Sequence, residues 1–218
     1  MPPLATDLLD YAVAGRPIDP SGLSGDMYAV LNTERGLLVA LVDGLGHGAD
    51  AARAARHALA AIDEAPDRPL PWLIEDCHAA LRATRGVAIV LAALDRQERE
   101  MDWCSVGNVD GVVVRSGANG SREREMILMR GGIVGHRLPP PRLATVPIEA
   151  GDLLILATDG IGTGFVTGVV PSLPVQQIAD TILARYAKPT DDALVLVGRI
   201  GAATVGRRSP GSRRIAAR

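Results

Sequence analysis

The run Leu37-Leu38-Val39-Ala40-Leu41-Val42 contains no polar residue and stops abruptly at Asp43-Gly44-Leu45-Gly46-His47-Gly48. A strand with one wet face alternates polar and apolar residues, so a run without alternation belongs in a sheet covered on both faces. A second extended run, Asp26 to Leu31, precedes it across Asn32-Thr33-Glu34-Arg35, and the pair predicts a hairpin. After the glycine loop comes an alanine-rich segment, Ala49 to about Ala65, with strong helix propensity. Strand, glycine loop and helix in that order place a carboxylate where a buried strand leaves the core.

The rest of the chain follows a different rhythm. A second helix starts near Pro71, a residue suited to the first helical position, with Ile74, Cys77, His78 and Leu81 as its buried stripe. From Gly86 the signal is strand after strand: Val87 to Leu94, Met101 to Val106, Val109 to Arg115, Met126 to Met129, Leu143 to Ile148 and Leu153 to Ala157. A last helix, about Pro174 to Ala187, precedes the apolar run Ala193 to Val197. Helices and strands that do not alternate exclude a doubly wound β-α-β fold and predict an α+β architecture of two packed sheets with helices outside. With 218 residues, no internal repeat and no linker, residues 1–200 read as one domain, and 201–218 as a basic, mobile tail rich in arginine, glycine and serine.

Composition narrows the function classes. Lysine plus arginine number 23 against 25 aspartates and glutamates, so no global charge draws the chain to nucleic acid or an anionic membrane. The apolar runs stop far short of the roughly 18 to 20 residues of a bilayer-spanning helix. The N-terminus lacks the basic and apolar regions of a secretory signal, which predicts a cytoplasmic protein. Cys77 and Cys104 belong to no zinc-type cluster and read as buried hydrophobes; Cys77 falls mid-helix, where no loop of amides can cradle a phosphate for a covalent phosphatase.

The chemistry is carried by aspartates at strand ends: Asp43 after one apolar run, Asp159 after another, and Asp191-Asp192 before a third. Each alone is an ordinary turn residue. Together they would repel one another without a positive partner, and oxygen-only ligands favour magnesium, manganese or calcium. Two adjacent cations sharing such carboxylates suit hydrolytic phosphoryl transfer.

Ser24-Gly25-Asp26, Asp43-Gly44-Leu45-Gly46-His47-Gly48, Gly131-Gly132-Ile133-Val134-Gly135, Thr158-Asp159-Gly160 and Asp191-Asp192-Ala193 stand in an ordered set from about residue 21 to 199. The set resembles the metal-dependent Ser/Thr protein phosphatases (PPM) in their SpoIIE-like branch, in a small form without sensor or regulatory domain. The resemblance implies an αββα sandwich with two Mn2+ or Mg2+ ions at one edge of the sheets. It implies that Asp43 bridges both ions, that the Gly44 carbonyl joins one, that Asp159 and Asp191 hold the other, and that Asp26 contacts a metal directly or through water. Asp191 matches the ligand position and Asp192 its supporting neighbour, an assignment that can be reversed. The implied substrates are phosphorylated STAS-domain proteins of a stressosome or anti-sigma pathway.

His47, grouped with Asp43 as a catalytic candidate, has three roles open: orienting water, donating to a leaving oxygen, or capping a helix. Asn108 follows Gly107 where many relatives carry an aspartate, which puts a third metal in doubt. Substrate choice falls to Ile161 to Pro171 and to the 130s loop, where Arg130, His136 and Arg137 are candidate phosphate or partner contacts beside their ordinary role as solvated surface. Two rival readings remain: a non-catalytic phosphoprotein-binding module of the same fold, and a dinucleotide-binding domain built on Gly44-x-Gly46-x-x-Ala49, with Asp63 or Glu64 toward a ribose.

Overall fold

The computed structural model describes residues 8–19, 22–116, 123–201 and 214–217. In chain order the elements are β1 (Leu9–Arg16), β2 (Asp26–Asn32), β3 (Gly36–Gly44), α1 (Gly48–Glu64), α2 (Leu70–Ala80), β4 (Val87–Asp95), β5 (Glu100–Val106), β6 (Asp110–Val114), β7 (Arg124–Met126), β8 (Ala144–Pro147), β9 (Leu153–Ala157), a 3-10 turn (Phe165–Gly168), α3 (Val175–Tyr186), β10 (Ala193–Ile200) and β11 (Arg214–Ala217). Two antiparallel sheets form, one in the order β1-β10-β9-β6-β7 and one in the order β11-β2-β3-β4-β5-β8.

The unalternating runs are explained by the layers. In β3, Leu38, Ala40 and Val42 pack under α1 and α2, while Leu37, Val39 and Leu41 point into the gap between the sheets. In β10, Leu194 and Leu196 enter that same gap, while Val195 and Val197 face α3. Every central strand therefore buries both faces, one on a helix and one on the other sheet, and the period of two is hidden because both faces are apolar. The result is an αββα sandwich with three apolar layers, as the α+β reading requires.

Several details depart from the sequence reading. β1 was absent from it, because Asp10, Tyr11 and Arg16 mask its alternation. The ladder at Met126 runs only over Arg124–Met126, and residues 127–129 continue past its end. The buried stripe of α2 is Leu70, Leu73, Ile74 and Cys77, and His78 sits at its margin, where Nδ1 accepts a hydrogen bond from the Gly135 N–H at 3.0 Å. Within the segment 201–218, Arg214–Ala217 pairs with β2 as an edge strand, and residues 202–213 and 218 lie outside the described residues. Among the described residues no helix is long and apolar enough to cross a membrane.

Candidate metal centre

Antiparallel order brings alternate strand termini to one end of the sandwich. The start of β2, the end of β3, the end of β9 and the start of β10 all meet there, carrying Asp26, Asp43, Asp159 and Asp191. Asp26 and Asp43 are direct cross-strand partners in the β2–β3 ladder, so their side chains share the face that looks into the inter-sheet gap. Like charges placed directly opposite destabilise a ladder. Here the conflict is deepened by burial, since Asp26 is only 3% exposed.

The electrostatics record that conflict. Burial, followed by the Asp26, Asp159 and Asp191 charges and a side-chain hydrogen bond with Asp159, pushes the Asp43 carboxyl up to about 9. Burial, with Asp192, Asp191 and Asp159 adding repulsion, pushes Asp26 up to about 8 against the lowering effect of Thr158. Asp191 is raised in the same direction by burial and by Asp159. Carboxyls this reluctant to ionise at neutral pH take up either protons or a cation. A donor set made only of carboxylate and carbonyl oxygen fits a hard divalent ion such as Mg2+ or Mn2+. As they stand, no three His, Cys, Asp or Glu side chains among the described residues are drawn together closely enough to hold an ion. The ligands would have to close on it.

Short loops and glycines set this geometry. Gly44, at the end of β3, packs so tightly on the first turn of α1 that a Cβ would sit 2.3 Å from the Ala51 carbonyl oxygen, and its N–H donates to the Gly25 carbonyl at 3.0 Å. Gly160 is more constrained: a Cβ there would lie 1.7 Å from the Asp192 carbonyl oxygen. The Asp159-Gly160 turn is thereby seated on the Asp191-Asp192 turn.

Asp192 and Thr158 support the cluster from beneath. The two Asp192 carboxylate oxygens accept the Ile18 and Gly25 N–H groups, each at 2.7 Å, so Asp192 ties the β1–β2 connection to β10. Asp191 makes one local bond, accepting the Asp192 N–H at 2.9 Å, and is only half-buried. Thr158 Oγ1 donates across the gap between the sheets to Asp26 at 2.7 Å and accepts the Leu194 N–H at 2.9 Å. The sequence reading gave Thr158 no role, and nothing but its neighbour Asp159 signalled one.

The remaining candidates divide. His47 is the exposed N-cap residue of α1, and its ring makes no capping bond. Asn108 is brought to the cluster, where its amide donates to the Asp159 carboxylate, a bond that an aspartate could not make without a proton. Gly107 allows this approach with φ +104°, and its N–H donates to the Arg130 carbonyl at 2.8 Å. His136 is occupied elsewhere, its ring bonded to the Thr84 carbonyl at 3.0 Å. Asp63 and Glu64, the ribose candidates of the dinucleotide reading, end α1, 17 residues long, at the far end from Gly44. Strand, loop and helix are present, but β3 has antiparallel neighbours on both sides, which removes the parallel β-α-β unit that reading needs. Cys77 and Cys104 are buried thiols, pushed up by burial to about 12 and about 11.

Comparison with known proteins bears on the family and the fold. The family profile described as Stage II sporulation protein E (SpoIIE) matches residues 33–201. Phosphoserine phosphatase RsbX of Bacillus subtilis (strain 168) is 22% identical over 179 residues, covering 82% of this chain and 88% of that protein. A chain solved in work on the bacterial stressosome as a modular system adapted to control secondary messenger signalling is 29% identical, with a TM-score of 0.78 over 88% of this chain and 99% of that one. RsbX in complex with magnesium, 20% identical, gives a TM-score of 0.80 over 91% and 98% of the two chains. The catalytic domain of the serine/threonine phosphatase PstP with two manganese ions, 19% identical, gives 0.68 over 89% and 99%.

Proposed function

Because the chain belongs to the SpoIIE family of PP2C-type (PPM) serine/threonine phosphatases, in an RsbX-like form, we propose that it hydrolyses phosphoserine or phosphothreonine on STAS-domain proteins of a stressosome or anti-sigma pathway. The observation that carries this reading is the in-register Asp26–Asp43 pair, Asp26 buried and Asp43 half-buried, at the same end of the sandwich as Asp159 and Asp191 of the second sheet. Two divalent cations bound there would supply Lewis acidity to activate a water and charge to balance an in-line phosphoryl transfer, without a covalent enzyme intermediate.

The chain's own residues supply position. Asp43 and the Gly44 carbonyl would lie on the β3 side, Asp159 and Asp191 on the β9–β10 side, and Asp26 beneath, directly or through water. Thr158 orients the Asp26 carboxylate, and Asp192 holds the loop from which Asp26 starts. Asn108 fixes one Asp159 oxygen by donating to it, leaving the other for a ligand. This supports a two-ion site in place of a third carboxylate ligand at position 108. His47, whose ring makes no capping bond to the helix, would orient water or donate to the leaving oxygen.

The test is phosphate release from a phosphoserine STAS-domain protein with Mn2+ and with EDTA, for wild type and Asp43→Ala. Manganese-dependent turnover that the variant loses is the expected result. Absence of turnover on this substrate and on p-nitrophenyl phosphate would overturn the enzyme reading in favour of a phosphoprotein-binding module.

A further inference from the structure

The chain has 23 basic residues other than histidine, and 22 of them are arginine; the one lysine is Lys188. It stands in the loop between α3 and β10, three positions before Asp191. Its main chain is fastened on both sides, with its N–H donating to the Gly160 carbonyl at 2.8 Å and its carbonyl accepting from the Arg16 guanidinium. Neighbouring pairings of Ile161 with Ala187 and of Gly162 N–H with the Tyr186 carbonyl, at 2.7 Å, fix the loop against the Asp159 turn. The side chain thus leaves from a rigid base beside the metal centre.

Its ammonium is poorly matched to a structural task. It donates to the Asp159 carbonyl at 2.5 Å, and among the described residues it forms no ion pair with a carboxylate. Its charge nevertheless reaches both Asp191 and Asp110. The side chain is exposed, and an ammonium has three donors, of which the carbonyl uses one. Two are left beside the Asp159 turn.

Charge balance gives these donors a use, on the premise that the two-ion reading above holds. Four aspartates offset two divalent ions, so a phosphate monoester dianion arrives with its own charge uncompensated. From these placements we propose that Lys188 is a substrate contact, donating to a non-bridging oxygen of the phosphoryl group being hydrolysed. The choice of lysine in an arginine-rich chain follows from the same geometry. A guanidinium carries a planar fork suited to bidentate pairing with a carboxylate such as Asp191, in competition with a metal; a compact ammonium competes less.

Lys188→Met and Lys188→Arg test this in the full-length protein. Inorganic phosphate is titrated calorimetrically into the Mn2+-loaded protein, alongside kcat, KM and the Mn2+ requirement with a phosphoserine protein. In Lys188→Met, phosphate affinity falls about tenfold and KM rises by a similar factor, as for loss of one charge-assisted hydrogen bond, with Mn2+ binding unweakened. Lys188→Arg fails to restore phosphate binding and raises the Mn2+ requirement. Phosphate affinity within twofold of wild type in Lys188→Met, with only a lowered Tm, would overturn the proposal and make Lys188 a clip for the Asp159 turn. Wild-type protein that neither binds Mn2+ nor turns over would instead overturn the phosphatase reading, and the role of Lys188 with it.

Discussion

The β3–β4 pair carries aspartates at both of its ends, and the two ends solve the same electrostatic problem in opposite ways. At the hairpin-turn end, Asp95 accepts the Gln97 and Glu98 N–H groups at 2.8 and 3.0 Å and pairs with Arg35 at 2.6 Å. Burial alone would raise its carboxyl, but these amides and the guanidinium outweigh burial and hold it below the usual range. At the other end Asp43 faces three more carboxylates, with no ion-pair partner among the described residues, and it is pushed up to about 9. A recess of about 240 Å3 lies at the turn end, lined by Asp67, Arg68, Asp95 and Glu98, yet it mixes both signs of charge, with Asp95 paired to Arg35 and Arg68 to Asp76. What distinguishes a site for a cation is unmet negative charge, not the depth of a hollow.

The comparison breaks most visibly if Asp43 is neutralised. Asp43→Asn is expected to lower Mn2+-dependent phosphatase activity by about a thousandfold or more, since on the proposed two-ion reading it removes a shared ligand. The same change stabilises the metal-free protein by about 1–3 kcal/mol at pH 8, read as a Tm higher by roughly 3–10 °C, because a buried like-charge conflict is removed. An inactive variant that is also less stable would contradict the account. Gly160→Ala acts through position instead. Its Cβ cannot coexist with the Asp192 carbonyl, so the turn must shift, costing about 1–3 kcal/mol in urea unfolding and at least tenfold in activity.

The two ends also differ in the sign of their pH dependence. Asp26 and Asp43 have folded-state pKa values raised above the unfolded 3.8, so between about pH 4 and 8 the folded metal-free protein binds more protons than the unfolded chain. Stability therefore falls as pH rises through that window. Mn2+ displaces those protons and should stabilise more at pH 8 than at pH 6. Thermal unfolding with EDTA and with Mn2+ across pH 5–9 checks this, and a metal-free Tm that climbs with pH in that range would refute it. In Asp43→Asn the slope becomes shallower.

Much of this candidate centre is legible in the sequence, and the reasons are local. Asp43 announces itself because an apolar run stops on it and three glycines follow. Asp159 follows an apolar run and Asp191 stands just before one, and the layered fold follows from runs too apolar for a one-sided sheet. β1 escaped because an edge strand needs only one apolar face, and Leu9, Ala12 and Ala14 are a faint signal among polar neighbours. The β2–β3 register that sets Asp26 opposite Asp43, and the reach of Thr158 across the gap, are properties of pairing between distant segments. No window of sequence contains them. Lys188 had a compositional signal, the single lysine among the arginines, but only the loop it occupies gives that signal a meaning.

Asp95→Asn should have the smallest effect, and it separates the two ends most cleanly. The asparagine side chain can still accept the Gln97 and Glu98 amides through its carbonyl oxygen, so the β4–β5 turn survives. What is lost is one negative charge against Arg35, whose side chain is 78% exposed, and an exposed pair of this kind contributes about 0.2–1 kcal/mol. The sign is the reverse of that at the metal end: a lowered carboxyl contributes stability above its unfolded pKa that is lost as pH falls through the folded value. Asp95→Asn should therefore soften acid unfolding below about pH 4 and leave the slope between pH 5 and 8 untouched. Activity and the Mn2+ requirement should match wild type, because among the described residues no side-chain hydrogen bond or ion pair joins Asp95 to the aspartates of the cluster. If Asp95→Asn changed the Mn2+ requirement severalfold, the two ends would be energetically linked through β3 and β4, and the division between satisfied and unsatisfied charge would have to give way to a coupled network.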